Sequence, residues 1–213
     1  MMRIKRGPCM LQARKKIFLF FITCAITCVS AQEPALRFKH IATEHGLSAS
    51  AVTCIIKDRD GYMWFGTYDG LNKFDGYEFQ VYRNASNAPG SISSNAVLAM
   101  YEDRKGRLWL GTQTGLDIFD RATDSFAHLR NASGVTLTVV DIEETAAGEI
   151  LFLASDHILS ARLEDSTCVL YQPDKLLPYL RPYSGLRRLM LDREGLLWVI
   201  MEANGLVAFD RHS

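Results

Sequence analysis

The chain predicts an all-β fold made of β-propeller blades, each of four short antiparallel strands. Three observations carry this. An eighteen-residue phrase, DRDGYMWFGTYDGLNKFD at Asp58–Asp75, returns as DRKGRLWLGTQTGLDIFD at Asp103–Asp120 with ten positions identical. The apolar residues within each phrase alternate with period two, the period of a strand rather than a helix. The spacing of the landmarks, about 45 residues, suits a radial repeat of four-stranded sheets.

Taken in order, Val52, Cys54 and Ile56 share one face of a first strand. Asp58-Arg-Asp-Gly61 then makes a hairpin turn, in which Asp bonds nearby N–H groups and Gly takes positive φ. Met63 and Phe65 flank Trp64 on a second strand, which Gly66-Thr67 ends. Tyr68-Asp69-Gly70 turns again into a third strand, Leu71–Phe74, and Glu78–Tyr82 alternates as the fourth. The second copy places Asp103, Gly106, Trp109, Gly111, Thr112 and Gly115 on the same landmarks.

Trp198 follows Trp109 by 89 residues, two periods less one residue, so a copy is expected between them. It is the degenerate stretch around Ala146–Asp165, with Gly148 at the turn and Leu151 in the Trp slot. The fourth copy, Asp192–Asp210, carries Asp192, Gly195, Trp198 and Gly205. The repeats run at approximately 47–91, 92–134, 135–184 and 185–213, within a domain spanning 32–213. The last copy ends without a fourth strand, so an incomplete propeller of about three and a half blades is expected.

The N-terminus has its own grammar. Six basic residues fall within the first 16 positions, the apolar run Ile17–Val29 follows, and Val29-Ser30-Ala31 offers small residues before a cut. Residues 1–31 therefore read as a secretory signal peptide. Beyond it 18 basic residues stand against 24 acidic ones, a net charge of −6 without a basic stripe, which argues against nucleic acid as a partner. The same cut leaves Cys54 and Cys168, whose pairing stays open, and no Cys/His spacing suited to zinc. No metal or other cofactor is expected.

Each landmark has a structural and a functional reading. A row of Asp at 58, 103 and 192 suggests acid catalysts or calcium ligands, yet each stands alone in its copy. Calcium needs several converging oxygens and glycoside hydrolysis needs two facing carboxylates. The Asp residues are read as turn formers and the Trp residues as packing between blades. The five His residues form no nucleophile–base arrangement, and no nucleophile elbow, P-loop or dinucleotide fingerprint occurs. No catalytic residue is assigned. Ligand specificity is expected in variable loops such as Asn84–Asn95.

The stretch HGLSASAV…IIKDRDGYMWFGTYDGLNKFDGYEFQVYR, His45 to Arg83, resembles the two-component regulator propeller repeat. The likeness extends from Phe38 to about Asp210, sharp in the first two copies and weak in Val139–Asp165. It implies the exported sensor region of a hybrid two-component regulator of the kind found in Bacteroidetes-type bacteria, and this chain as its N-terminal piece. It further implies periplasmic location, an oligosaccharide ligand, a dimer, and a membrane helix and histidine kinase downstream. It carries no short ligand motif, so no binding residue is transferred. Two alternatives stand beside it: a stand-alone secreted interaction propeller, and a propeller-based glycan-active enzyme. Against the enzyme, sialidase-like propellers set their repeated Asp two residues before the Gly, where this chain has Arg59, Arg104 and Arg193.

Overall fold

The chain forms its strands where period-two apolar residues are bracketed by Gly turns, and the sheets then stack on their apolar faces. The structure, a computed structural model, describes residues 38–129, 137–154, 157–164, 167–171, 185–202 and 205–210, with backbone only at 162–164, 167–171 and 186. Phe38–His40 fall in a separate N-terminal unit and carry no regular element. From Ile41 onward, after one 3-10 turn at Thr43–His45, the described elements are all strands.

The first sheet holds β1 (Val52–Lys57), β2 (Met63–Thr67), β3 (Gly70–Phe74) and β4 (Phe79–Tyr82) in sequence order. The second holds β5 (Val97–Glu102), β6 (Leu108–Thr112), β7 (Leu116–Asp120) and β8 (Ser125–Leu129). The third holds β9 (Val139–Glu144), β10 (Ile150–Ala154), β11 (His157–Glu164) and β12 (Thr167–Tyr171). The fourth has three described strands, β13 (Leu186–Leu191), β14 (Leu196–Met201) and β15 (Gly205–Asp210). All neighbouring strands pair antiparallel.

The first strands of successive sheets converge, β1 on β5, β5 on β9 and β9 on β13. This is the blade order of a propeller, and among the described residues it is an arc. Each converging strand carries a bulge at one position, Thr53, Leu98, Val140 and Arg187. A bulge bends and twists the edge it sits on, as strands gathered round an axis require. It also makes Cys54, Ala99, Asp141 and Arg188 equivalent, each opposite residue four of the next strand or its counterpart: Gly66, Gly111, Leu153 and Ile200.

Three cores lie between the sheets. Between the first and second, Trp64, Leu71, Ile92, Val97, Leu110 and Phe119 are fully or nearly fully buried. Trp109, Val139, Ile150 and Phe152 anchor the next core, and Leu151, Leu153, Leu189, Leu197 and Val199 the third. The packing explains the Gly of the Gly-Thr landmark. A Cβ on Gly111 would sit 2.8 Å from both Cγ1 and the carbonyl oxygen of Val139, so the neighbouring blade's first strand occupies the room a side chain would need.

Candidate functional site

The repeated turn is built around one carboxylate. Asp58 Oδ1 accepts the main-chain N–H of Asp60 at 3.0 Å and of Tyr62 at 2.9 Å. Its Oδ2 accepts the indole N–H of Trp64 at 2.8 Å. Asp103 does the same with Lys105, Arg107 and Trp109, and Asp192 with Glu194, Leu196 and Trp198, the indole distances being 2.9 and 2.8 Å. The turn glycines Gly61, Gly106 and Gly195 have φ of 94°, 84° and 89°, as the hairpin demands. In the third copy Thr145 replaces the Asp and Leu151 the Trp; Thr145 Oγ1 still accepts the Glu149 N–H at 3.2 Å, and no indole needs an acceptor. The Asp-to-Trp bond links residues six apart across a turn.

Trp64 and Trp109 are completely buried between sheets, Trp64 stacked on Tyr82 and edge-on to Phe119. Trp198 differs: it is only partly buried, on the outer face of the fourth sheet. Gly205, at the start of β15, has φ 74° and open space beside it.

A second device joins successive blades. Glu102, the last residue of β5, accepts the backbone N–H of Arg59 at 2.9 Å and its Nε–H at 3.0 Å. Glu144, the last of β9, accepts the Arg104 N–H at 3.0 Å. Arg121 adds a hub, bonding Asp58 and Asp60 at 2.8 Å and Glu102 at 2.9 Å. Burial alone would raise the Asp58 carboxyl, but Arg121, the Trp64 indole and the Tyr62 N–H outweigh it and hold the group below 3.8. In the third copy the Arg and Glu positions are Ala146 and Leu191. There a groove of about 560 Å³ opens, lined by Arg104, Glu144, Ala146, Leu191, Asp192 and Arg193.

At the other strand ends, Thr67 Oγ1 donates to the Gly70 carbonyl and Thr112 Oγ1 to that of Gly115, at 2.9 and 3.0 Å. Each Thr also bonds the serine leading into its blade, Ser48 or Ser93. The Asn84–Asn95 loop is tied down likewise. Asn84 Nδ2 donates to the Ile92 carbonyl at 2.7 Å, Asn84 N to Asn95 Oδ1 at 2.7 Å, and Ile92 is fully buried. Asn84 thus staples its loop.

Where β1, β5, β9 and β13 converge there is a cleft of about 370 Å³ lined by Thr53, Cys54, Leu98, Ala99, Asp141 and Arg188, among others. The first two inner strands carry small or apolar residues here, whereas the third and fourth contribute Asp141 and Arg188. Asp141 Oδ2 accepts the Leu189 N–H at 2.7 Å, and Arg188 Nη1 lies 3.8 Å from Oδ1. Burial raises the Asp141 carboxyl, opposed by those two partners. Glu143, two residues on, is pushed up to about 7 by burial, with Asp141 adding to it. Burial likewise raises the free thiol of Cys54; the side chain of Cys168 lies outside the description. The cleft presents a guanidinium donor, one carboxylate and a hydroxyl on strand edges, a set able to hydrogen-bond a neutral polar ligand. Sequence reading missed Asp141 and Arg188; the sole signal was a charged residue where the sharp copies have Cys54 and Ala99.

Two segments, residues 46–69 and 91–114, match the model of the two-component regulator propeller. Over 65 residues the chain is 46% identical to Histidine kinase P4 of Formosa agariphila, a match covering 30% of this chain and 5% of that protein. In fold it is similar to the extracellular domain assigned to a hybrid two-component system of B. thetaiotaomicron, with TM-score 0.65 and 23% identity, covering 82% of this chain and 26% of that one. A second such domain from the same organism aligns with TM-score 0.60 and 21% identity, over 76% and 24% of the two chains. The chain thus spans a small part of the length of these relatives. Residues 46–69 and 91–114 thus carry two-component regulator propeller repeats, and the described residues form an arc of β-propeller blades.

Proposed function

We propose that this chain is a ligand-sensing segment of a hybrid two-component sensor, recognising an oligosaccharide and relaying its binding to a histidine kinase elsewhere in the same protein. The segment binds and does not catalyse. Its leader, residues 1–31, directs it to the periplasm, where the sensing face meets its ligand. The match of residues 46–69 and 91–114 to the two-component regulator propeller carries this reading, supported by the similarity to a histidine kinase over 65 residues. The polar cleft at Thr53, Asp141 and Arg188 supplies donors and acceptors of the kind that read sugar hydroxyls.

The test is calorimetric titration of the exported region of the parent protein with a panel of oligosaccharides. One of them should bind, and Asp141→Asn or Arg188→Ala should weaken binding roughly tenfold, the weight of one polar contact. Absence of binding across the panel, or binding indifferent to both substitutions, would refute the respective part of the reading.

A further inference from the structure

At the first two blade interfaces a carboxylate ties the turn of one blade to the first strand of the next. Glu102 Oε2 accepts the Arg59 main-chain N–H at 2.9 Å and Glu144 Oε2 accepts that of Arg104 at 3.0 Å. At the third interface Leu191 ends β13 where Glu102 ends β5 and Glu144 ends β9. The donor it faces is the main-chain N–H of Ala146, which no substitution short of proline removes. That N–H has no acceptor among the described residues. The N–H of Ala147 has none there either, although its counterparts at Asp60 and Lys105 bond the landmark Asp.

The turn itself is unchanged, so the Ala146 N–H keeps its direction. Thr145 N–H meets the Glu149 carbonyl at 2.8 Å and Gly148 N–H meets the Thr145 carbonyl at 2.9 Å. The first copy makes the same two bonds at 3.0 and 3.1 Å, the second at 3.0 and 2.8 Å. Gly148 has φ 79°, beside 94° at Gly61 and 84° at Gly106. The donor therefore points toward the next blade's first strand, and there the groove of about 560 Å³ opens.

The charges around it favour an anion. In the first two copies the landmark Asp adds a negative charge beside this point, and an arginine offsets it: Arg121 on Asp58, Arg107 on Asp103. The third copy has the neutral Thr145 instead. Arg104 lines the groove with its Nη1 donating to the Ala146 carbonyl at 3.0 Å, and its guanidinium has further N–H groups to give. Two acidic residues also line the groove, and both are engaged. Glu144 accepts from Arg104, and Asp192 from Glu194, Leu196 and Trp198.

We propose that this groove binds a small carboxylate-bearing ligand. Its anion takes the Ala146 N–H as Glu102 and Glu144 take theirs, Arg104 supplies the countercharge, and its apolar body rests on Ala147 and Leu191. The groove shares no lining residue with the polar cleft, so this site stands whether or not the cleft reads sugar hydroxyls.

The test titrates the full chain, labelled with nitrogen-15 at alanine, with benzoate and with its neutral isostere benzamide. The Ala146 amide, assigned by its disappearance in Ala146→Ser, is followed by NMR. Benzoate should move that amide proton downfield and saturate at roughly millimolar concentration, whereas benzamide should leave it in place. Leu191→Glu supplies an internal carboxylate, so it should move the Ala146 amide without ligand and abolish the response to benzoate. Leu191→Met leaves the N–H open and should keep the response. Arg104→Met, which leaves Leu191 and its packing untouched, should weaken benzoate roughly tenfold. An Ala146 amide indifferent to benzoate would overturn the site, and an equal response to benzamide would overturn its choice of an anion. A full response persisting in Leu191→Glu would overturn the placement of the carboxylate, and unchanged affinity in Arg104→Met the countercharge.

Discussion

The bond from the landmark Asp to the indole six residues later can be tested with substitutions the chain itself supplies. Asp103→Thr and Trp109→Leu copy Thr145 and Leu151 of the third repeat into the second. In Asp103→Thr the indole N–H of Trp109 loses its 2.9 Å acceptor while remaining buried, and Arg107 loses its partner. A threonine hydroxyl keeps part of the turn, as Thr145 does with the Glu149 N–H. The cost is therefore mainly one orphaned buried donor and one broken charge-assisted bond, about 2–3 kcal/mol. Trp109→Leu empties part of the core between the second and third sheets and costs about 2–4 kcal/mol. It also leaves Asp103 one donor short, though Arg107 and two main-chain N–H groups remain.

Once the indole is gone, Asp103→Thr no longer strands it. The double variant should thus be more stable than the sum of the single losses by about 1–2 kcal/mol. The assay is urea unfolding followed by circular dichroism, with m compared across the four proteins to confirm a common transition. Thr145→Asp in the third repeat is the control, and with Leu151 opposite it should bring no stabilisation. Strict additivity, within about 0.5 kcal/mol, would refute the claim that Asp and Trp form one unit.

The same unfolding assay should show Gly111→Ala destabilised by about 1–3 kcal/mol, because the new methyl group overlaps Val139 at 2.8 Å. Arg121→Ala removes the guanidinium from Asp58, Asp60 and Glu102; the Asp58 carboxyl should rise toward its ordinary value in a carbon-detected NMR titration, and an unmoved Asp58 would contradict the hub. Glu143 is a carboxyl raised in the fold from 4.5 to about 7, so the folded state holds its proton more tightly than the unfolded state. Its contribution is fully present below pH 4.5 and is lost as pH rises through about 7. Glu143→Gln should flatten that part of the stability profile, and an unchanged slope would place the dependence elsewhere.

The strands of the first two sheets are legible because two signals coincide there: alternation such as Val52, Cys54, Ile56, and turn residues such as Asp58 and Gly61 at fixed offsets. What the sequence hides is what register decides. That Asp58 would meet Trp64 requires knowing that Lys57 pairs with Met63, so that strand and turn bring residues six apart together. Glu102 meets Arg59 across 43 positions, which no local pattern reports, though the joint loss at Ala146 and Leu191 is a trace of it. The cleft is hidden by the bulges. Without them Asp141 and Arg188 cannot be aligned with Cys54 and Ala99, and two charged residues on inner strands look like ordinary surface alternation.

The third repeat now reads as a different solution rather than as a worn copy. Its changes come in pairs that leave no side chain half-bonded: Thr145 with Leu151, Ala146 with Leu191. The buried cluster joining the third and fourth sheets is correspondingly aliphatic, Leu151, Leu153, Ile158, Leu189, Leu197, Val199 and Met201, whereas that between the first and second is centred on Trp64, Phe119 and Phe126. Aliphatic contact is non-directional, so such an interface resists separation but weakly fixes the angle between its sheets. The directional bonds described across it are those of Asp141 to Leu189 and Arg188. Of these, Asp141 and Arg188 line the cleft at the converging strands. On the reading proposed above, a ligand that takes hydrogen bonds from Arg188 or gives them to Asp141 competes with the contacts that set the angle between two blades. Binding and blade geometry are then linked at one place, the interface where the repeat has given up its other polar ties.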